Sequence, residues 1–123
     1  MHILREQAKR YLIRSNSHCA LCGAYGTDLH EVICPLRRKY SPGLDEEPLA
    51  RLVYLPQNCV ILCNQCNVID ANSRRDYLMG YNMELYGVDA VVGVYRSMAK
   101  LLKAPTAYIP MSITFHDKEV RIL

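Results

Sequence analysis

The chain has 123 residues, half of them apolar, and a formal charge of +3 with an isoelectric point near 8.5. Those values exclude a disordered chain and predict one domain with a modest core. No apolar run reaches membrane-spanning length and the N-terminus lacks the apolar stretch of a signal peptide, while the mild positive charge permits a nucleic-acid partner without demanding one.

In chain order, residues 2–16 read as a helix with Leu4, Ala8, Tyr11 and Leu12 on one face. Arg5, Lys9, Arg10 and Arg14 lie mostly on the rest of it, as an ordinary solvated surface would. Ser15, Asn16 and Ser17 end that helix, and a first C-x-x-C follows at Cys19 and Cys22. Gly23, Gly26, Thr27 and Asp28 mark a turn. Leu29 to Ile33 reads as a strand, with Leu29, Glu31 and Ile33 facing one way and His30 and Val32 the other. Residues 35–56 read as an irregular insertion, rich in proline, with a basic cluster at Arg37, Arg38 and Lys39 and an acidic one at Asp45, Glu46 and Glu47. Asn58 to Leu62 is a short apolar strand that runs into a second C-x-x-C at Cys63 and Cys66.

From about residue 67 to 83 the chain reads as a helix carrying Arg74 and Arg75, weakened or kinked at Gly80. Gly87 precedes a further helix whose stripe of Val88, Val91, Val92, Tyr95, Met98, Ala99 and Leu102 is a core-packing face. Pro105 and Pro110 bracket a loop. Ile113 and Phe115, then Val120 and Ile122, alternate around His116–Lys118 as a terminal β-hairpin. The fold class expected is α+β. It has an N-terminal helix (1–17), a metal-stapled centre (18–83), and a C-terminal helix with hairpin (84–123).

Two C-x-x-C pairs are the spacing of a four-thiolate zinc site. Two thiolates two residues apart reach one ion from a single tight turn, and a second turn completes the tetrahedron. Cys19, Cys22, Cys63 and Cys66 are therefore the expected ligands of one structural Zn²⁺. A redox role fits less well, because the βαβ context of such motifs is missing. Cys34 and Cys59 stand alone in apolar runs and read as small core residues. Unpaired thiols, the zinc pattern and no export signal favour a reducing cytosol.

The order is thiolate pair, histidine-bearing strand, loop, asparagine, thiolate pair, helix. Over about residues 18–75 it resembles the HNH endonucleases, also called ββα-metal or His-Me finger nucleases. The matching stretches are C-A-L-C at 19–22, D-L-H-E-V at 28–32 and N-C-V-I-L-C-N-Q-C-N at 58–67. The Y-G-V-D-A at 86–90 also looks like a segment that follows the motif in small phage proteins of this kind. The resemblance implies a zinc-stapled ββα-metal finger that hydrolyses DNA phosphodiester bonds with Mg²⁺ or Mn²⁺. Carried over, His30 is the general base, Asn58 braces the finger loop, and Asn67 ligates the catalytic metal. The chain departs from the usual pattern twice. Asn67 stands where a histidine is common, and His30-Glu31 stands where His-His is common. Glu31 is therefore either a ligand, the base, or neither. Asn67 also suits a helix N-cap, and Asn58 a turn.

Arg37, Arg38, Lys39, Arg74 and Arg75 lie beside the expected site and are candidate phosphate contacts. The implied setting is the cytoplasm of a bacterial host, with DNA as partner, alongside phage packaging or recombination proteins. The rival expectation is a catalytically inactive HNH-like zinc module that binds DNA or a host protein. A zinc-ribbon transcription factor is a third, and would need a recognition helix that the sequence does not display.

Overall fold

Leu4, Ala8 and Leu12 recur at helical spacing with no glycine or proline among them, so the chain opens as a helix. The structure, a computed structural model, describes residues 3–36 and 47–123. Helix α1 spans Ile3–Ser15 and buries Ala8 and Leu12. Tyr11, expected on the same face, is 53% exposed. The helix stops where serines take over its last carbonyls: Ser15 Oγ donates to Tyr11 O (3.0 Å) and Ser17 Oγ to Ile13 O (2.9 Å).

Strand β1 (Asp28–Glu31) pairs antiparallel with β2 (Cys59–Leu62), placing Leu29 opposite Ile61 and His30 opposite Val60. β1 is shorter than the expected run to Ile33, and Asn58 is the cause. Val32 N–H still donates to Asn58 O (2.8 Å), but the Asn58 N–H turns back to Leu55 O (2.9 Å) within a 3₁₀ turn at Pro56–Asn58. The Asn58 side chain then replaces the ladder. Ile33 N–H donates to its Oδ1 (3.0 Å), and its Nδ2 donates to Ile33 O (2.8 Å) and Val53 O (2.9 Å). One fully buried amide thus satisfies three backbone groups that lie on both sides of residues 37–46.

The stretch expected to be irregular contains a helix. α2 spans Pro48–Val53, with proline in its first turn where a missing N–H costs nothing, and it buries Ala50 and Val53. Arg37, Arg38, Lys39 and the acidic Asp45 and Glu46 fall outside the described residues.

The single helix expected from 67 to 83 is two helices and a 3₁₀ turn: α3 (Asn64–Ile69), Ala71–Arg74, and α4 (Arg75–Tyr86). The break lies at Asp70, not at Gly80. Ser73 donates through both N–H (3.2 Å) and Oγ (2.9 Å) to Asp70 O, a local alternative to the helical ladder. Gly80 sits inside α4, where a Cβ would lie 3.4 Å from the Phe115 ring, so its smallness lets the hairpin seat on the helix.

Gly87 has φ 93° and ψ 148°, a conformation open in practice only to glycine, and it lets α5 (Val88–Leu101) begin directly after α4. α5 buries Val91, Val92, Val94, Tyr95 and Met98, while Val88, Ala99 and Leu102 of the expected stripe pack partly buried against the same core. β3 (Ser112–Phe115) and β4 (Lys118–Arg121) form the terminal hairpin. Its two-residue turn, His116 and Asp117 at φ 50° and 61°, has the left-handed geometry that matches strand twist. Ile113 and Ile122 are buried beneath it, and Arg96 Nε donates to Ile122 O (2.8 Å).

All of these elements share one hydrophobic cluster, in which Cys59 is buried and Cys34 packs at the edge. Among the described residues no helix is long and apolar enough to cross a membrane. Replacing Asn58 by alanine would leave the Ile33 N–H and C=O unpaired in the interior, and Val53 O with only the weak thiol donor of Cys59. At about 1–3 kcal/mol for each buried group left unsatisfied, the two Ile33 groups make Asn58→Ala cost at least about 2 kcal/mol. Urea unfolding of the variant against the wild type measures this, and a loss below about 1 kcal/mol would contradict the bracing role.

Candidate metal centre and the strand beside it

The first thiolate pair sits on a tight turn closed by Cys19 N–H to Ala24 O (2.6 Å) and Gly23 N–H to Cys19 O (2.9 Å). The second pair straddles the start of α3. Cys63 is the N-cap of that helix, and its Sγ accepts from Cys66 N–H at 3.5 Å. Two contacts bring the turns together. Ala20 N–H donates to Ile61 O (3.0 Å), and Gly26 passes so close to the other turn that a Cβ there would lie 2.6 Å from Leu62 C and 2.7 Å from Cys63 N. Both are backbone atoms, which cannot move aside, so position 26 requires glycine.

The ligand atoms of Cys19, Cys22, Cys63 and Cys66 lie within 4.8 Å of one another, and the Cys22 and Cys63 sulfurs are 3.7 Å apart. A tetrahedron with metal–sulfur bonds near 2.3 Å has edges of about 3.8 Å. The cluster therefore has the size and donor set for a metal ion such as zinc. Proton affinities within it diverge. Burial opposes ionisation of Cys19, but the backbone N–H groups of Cys63, Cys22 and Leu21 outweigh it and bring the thiol down to about 6. The Ala24 backbone pulls Cys22 downward, yet the Cys19 and Cys63 thiols prevail and raise it. Cys66 is raised by its thiol neighbour Cys63 and then by burial. Without a cation the four sulfurs share their protons; a divalent ion displaces them. Cys59 is different: burial holds its thiol well above the usual range, and Sγ donates to Val53 O (3.3 Å), as suits an inert core residue.

β1 leaves the first turn and β2 runs into the second, so the centre fixes both strands. Along β1 burial alternates, with Asp28 and His30 on the half-buried face and Leu29 and Glu31 on the buried one. α3 lies against the end of β1: Asp28 Oδ2 accepts from Asn64 Nδ2 (3.2 Å) and Asn67 Nδ2 (3.4 Å). Asp28, His30 and Asn67 are thereby gathered on one side. Asn67 is not the helix N-cap, a place taken by Cys63; it sits one turn further in, its N–H donating to Cys63 O (3.0 Å).

Glu31 lies on the opposite face of β1, with its side chain 6% exposed and its Oε1 3.9 Å from Arg5 Nε of α1. Tyr54 packs nearby, its phenol pushed up by burial and then by the Glu31 carboxylate. Of the described basic candidates, Arg74 lays its guanidinium 4.7 Å over the Tyr77 ring, and Arg75 Nε meets Asp76 Oδ1 at 3.0 Å. Arg37, Arg38 and Lys39 are outside the described residues.

Three residues have roles that only the tertiary structure shows. Asp28 belongs to β1 and not to the turn that Gly26 and Thr27 suggest, and its two-residue spacing from His30 is the signal that pairs them on a strand face. Arg5 is not part of a solvated surface but packs toward Glu31. Asn82 of α4 is buried, and its Nδ2 donates to Gln57 O and Cys59 O (both 3.1 Å), covering the outer edge of β2. The chain matches no protein-family model, no curated protein and no solved structure.

The purified protein is expected to carry one metal ion per chain. Cys63→Ser should lose it and unfold much of the domain, because metal-binding free energy is folding free energy in such sites. Elemental analysis with circular dichroism reads both effects. A metal-free wild-type chain with its full helical signal would contradict the assignment.

Proposed function

We propose that the chain is a metal-dependent endonuclease of the HNH type, hydrolysing DNA phosphodiester bonds with His30 as general base. The observation that carries this reading is the meeting of Asn67 with Asp28, two residues from His30 on the same strand face. Around it stand a strand–strand–helix order of β1, β2 and α3, and Asn58 bracing the connection between the strands. The four-cysteine centre is read as structural Zn²⁺. With all four positions taken by thiolates it has no place for water or substrate, so it holds the finger and does no chemistry.

The second metal has a donor set that suits it. One carboxylate and two side-chain amides are hard, oxygen-bearing groups of the kind Mg²⁺ and Mn²⁺ prefer, and Asp28 joins Asn67 as the residue that would hold the ion. When bound, such an ion neutralises charge on the phosphate and on the departing oxygen. The neutral imidazole of His30 takes the proton from the attacking water. Glu31 keeps to structure, tying β1 to α1 through Arg5. Arg74 and Arg75, with Arg37, Arg38 and Lys39, supply phosphate contacts that fix the strand without reading its sequence.

A second reading is favoured by one detail. The Asp28 carboxylate already accepts from two amide groups. An inactive descendant that kept the scaffold to bind DNA or a host protein would satisfy its old ligand in this way. Kinetics separates the two. His30→Ala should lower cleavage of plasmid, linear or branched DNA by on the order of 10²–10⁴-fold. Bound zinc, melting temperature and DNA affinity should stay near wild type. Asp28→Asn should lose activity that excess Mn²⁺ partly restores, while Glu31→Gln should lower stability more than turnover. A wild-type chain that binds DNA but cleaves no substrate with either metal establishes the binding module instead.

A further inference from the structure

A second cleft includes none of Asp28, His30 and Asn67 in its lining. It lies between α1 and α4, with β2 as its floor, and encloses about 370 Å³. Ligand pockets run from about 300 to 1,000 Å³. Three phenol rings surround it: Tyr11 from α1, and Tyr81 and Tyr86 from α4. Ser15, Asn16 and His18 line it where α1 ends, offering hydroxyl, amide and imidazole groups.

Aromatic residues usually fill a core; here they leave space. Tyr11 is 53% exposed, and Leu85 on the facing helix is 60% exposed. Burial raises the Tyr86 phenol first, and the neighbouring Tyr11, Cys59 and Tyr81 raise it further, so it stays a neutral donor.

The charge around the cleft is one-sided. None of its lining residues is a carboxylate. Arg14, exposed and three residues from Tyr11 along α1, is its neighbour on the helix surface. Glu84, next to Leu85, faces the terminal hairpin, where its Oε2 meets His116 Nε2 at 2.7 Å. Rings that stack, hydrogen-bonding groups at one end and a cation beside them are the parts of a site for an unpaired base on a phosphate chain.

We infer that the cleft between α1 and α4 is a nucleobase pocket, in which Tyr11, Tyr81 and Tyr86 hold an unstacked base of a single nucleic-acid strand while Arg14 meets its phosphate. The pocket rests on the nucleic-acid part of the proposed function, not on the hydrolysis. It gives the chain a way to engage a strand where pairing is interrupted.

The test compares two end-labelled probes by fluorescence anisotropy, using the full metal-loaded chain without Mg²⁺ or Mn²⁺. One is a short oligothymidylate; the other is a sugar–phosphate oligomer of equal length that lacks bases. The wild type should prefer the base-bearing probe by roughly tenfold or more, given typical stacking contributions. Tyr11→Ala should bring the two probes close to parity, and Tyr11→Phe should keep the preference. Tyr11 is exposed enough that zinc content and melting temperature should not change, and both are measured alongside. Equal binding of the two probes by the wild type, binding of neither, or an undiminished preference in Tyr11→Ala overturns the pocket. DNA cleavage is assayed separately. A chain that prefers bases yet never cleaves keeps the pocket and loses the nuclease; one that cleaves without the preference does the reverse.

Discussion

Four sulfur atoms within 4.8 Å of one another connect residue 19 to residue 66, and the rest of the centre depends on that connection. β1 and β2 are four residues long each, and an isolated two-stranded pair of that length is marginal in water. The cysteine turns are what aligns them. One turn feeds β1, the other receives β2 and starts α3, and a bound cation would lock both to one point. The register that places His30 opposite Val60, and the approach of Asn67 to Asp28, follow from that lock. Gly26 marks how tight it is, since not even one added carbon fits between the two turns.

Asparagine side chains do the second part of the work. Asn58 continues the strand ladder where backbone pairing stops and anchors the far side of the 37–46 connection at Val53. Asn82 covers carbonyls at the edge of β2. Asn64 and Asn67 attach α3 to the start of β1. In each case a short, planar amide offers donor and acceptor together, which lets it substitute for a peptide group. A domain with so little sheet can hold a precise strand face because these amides hydrogen-bond what the sheet itself leaves open.

What was legible in the sequence follows the range of each interaction. Paired cysteines act locally on a turn, so their spacing alone predicted a cluster that the fold assembles. The terminal hairpin showed in the alternation of Ile113, Phe115, Val120 and Ile122, and the α5 stripe in its helical period. The break at Asp70 was hidden because it arises from Ser73 competing for a carbonyl while Asn67 is held by a residue 39 positions away. α2 was hidden by prolines that read as loop, although one of them starts the helix. Alternation separated His30 from Glu31 but could not say which of them turns inward. That depends on Arg5 waiting on α1, a tertiary contact with no local signature. Asp28 is obscured for the opposite reason: its neighbours Gly26 and Thr27 are stronger local signals for a turn than its spacing from His30 is for a strand.

The architecture of the centre depends on the four cysteines sharing one ion. X-ray absorption at the zinc edge of the purified protein tests this most directly. A single shell of four sulfur scatterers at about 2.3 Å, with no nitrogen or oxygen neighbour in it, is the expected result. A first shell containing a histidine or water ligand, or fewer than four sulfurs, would contradict it.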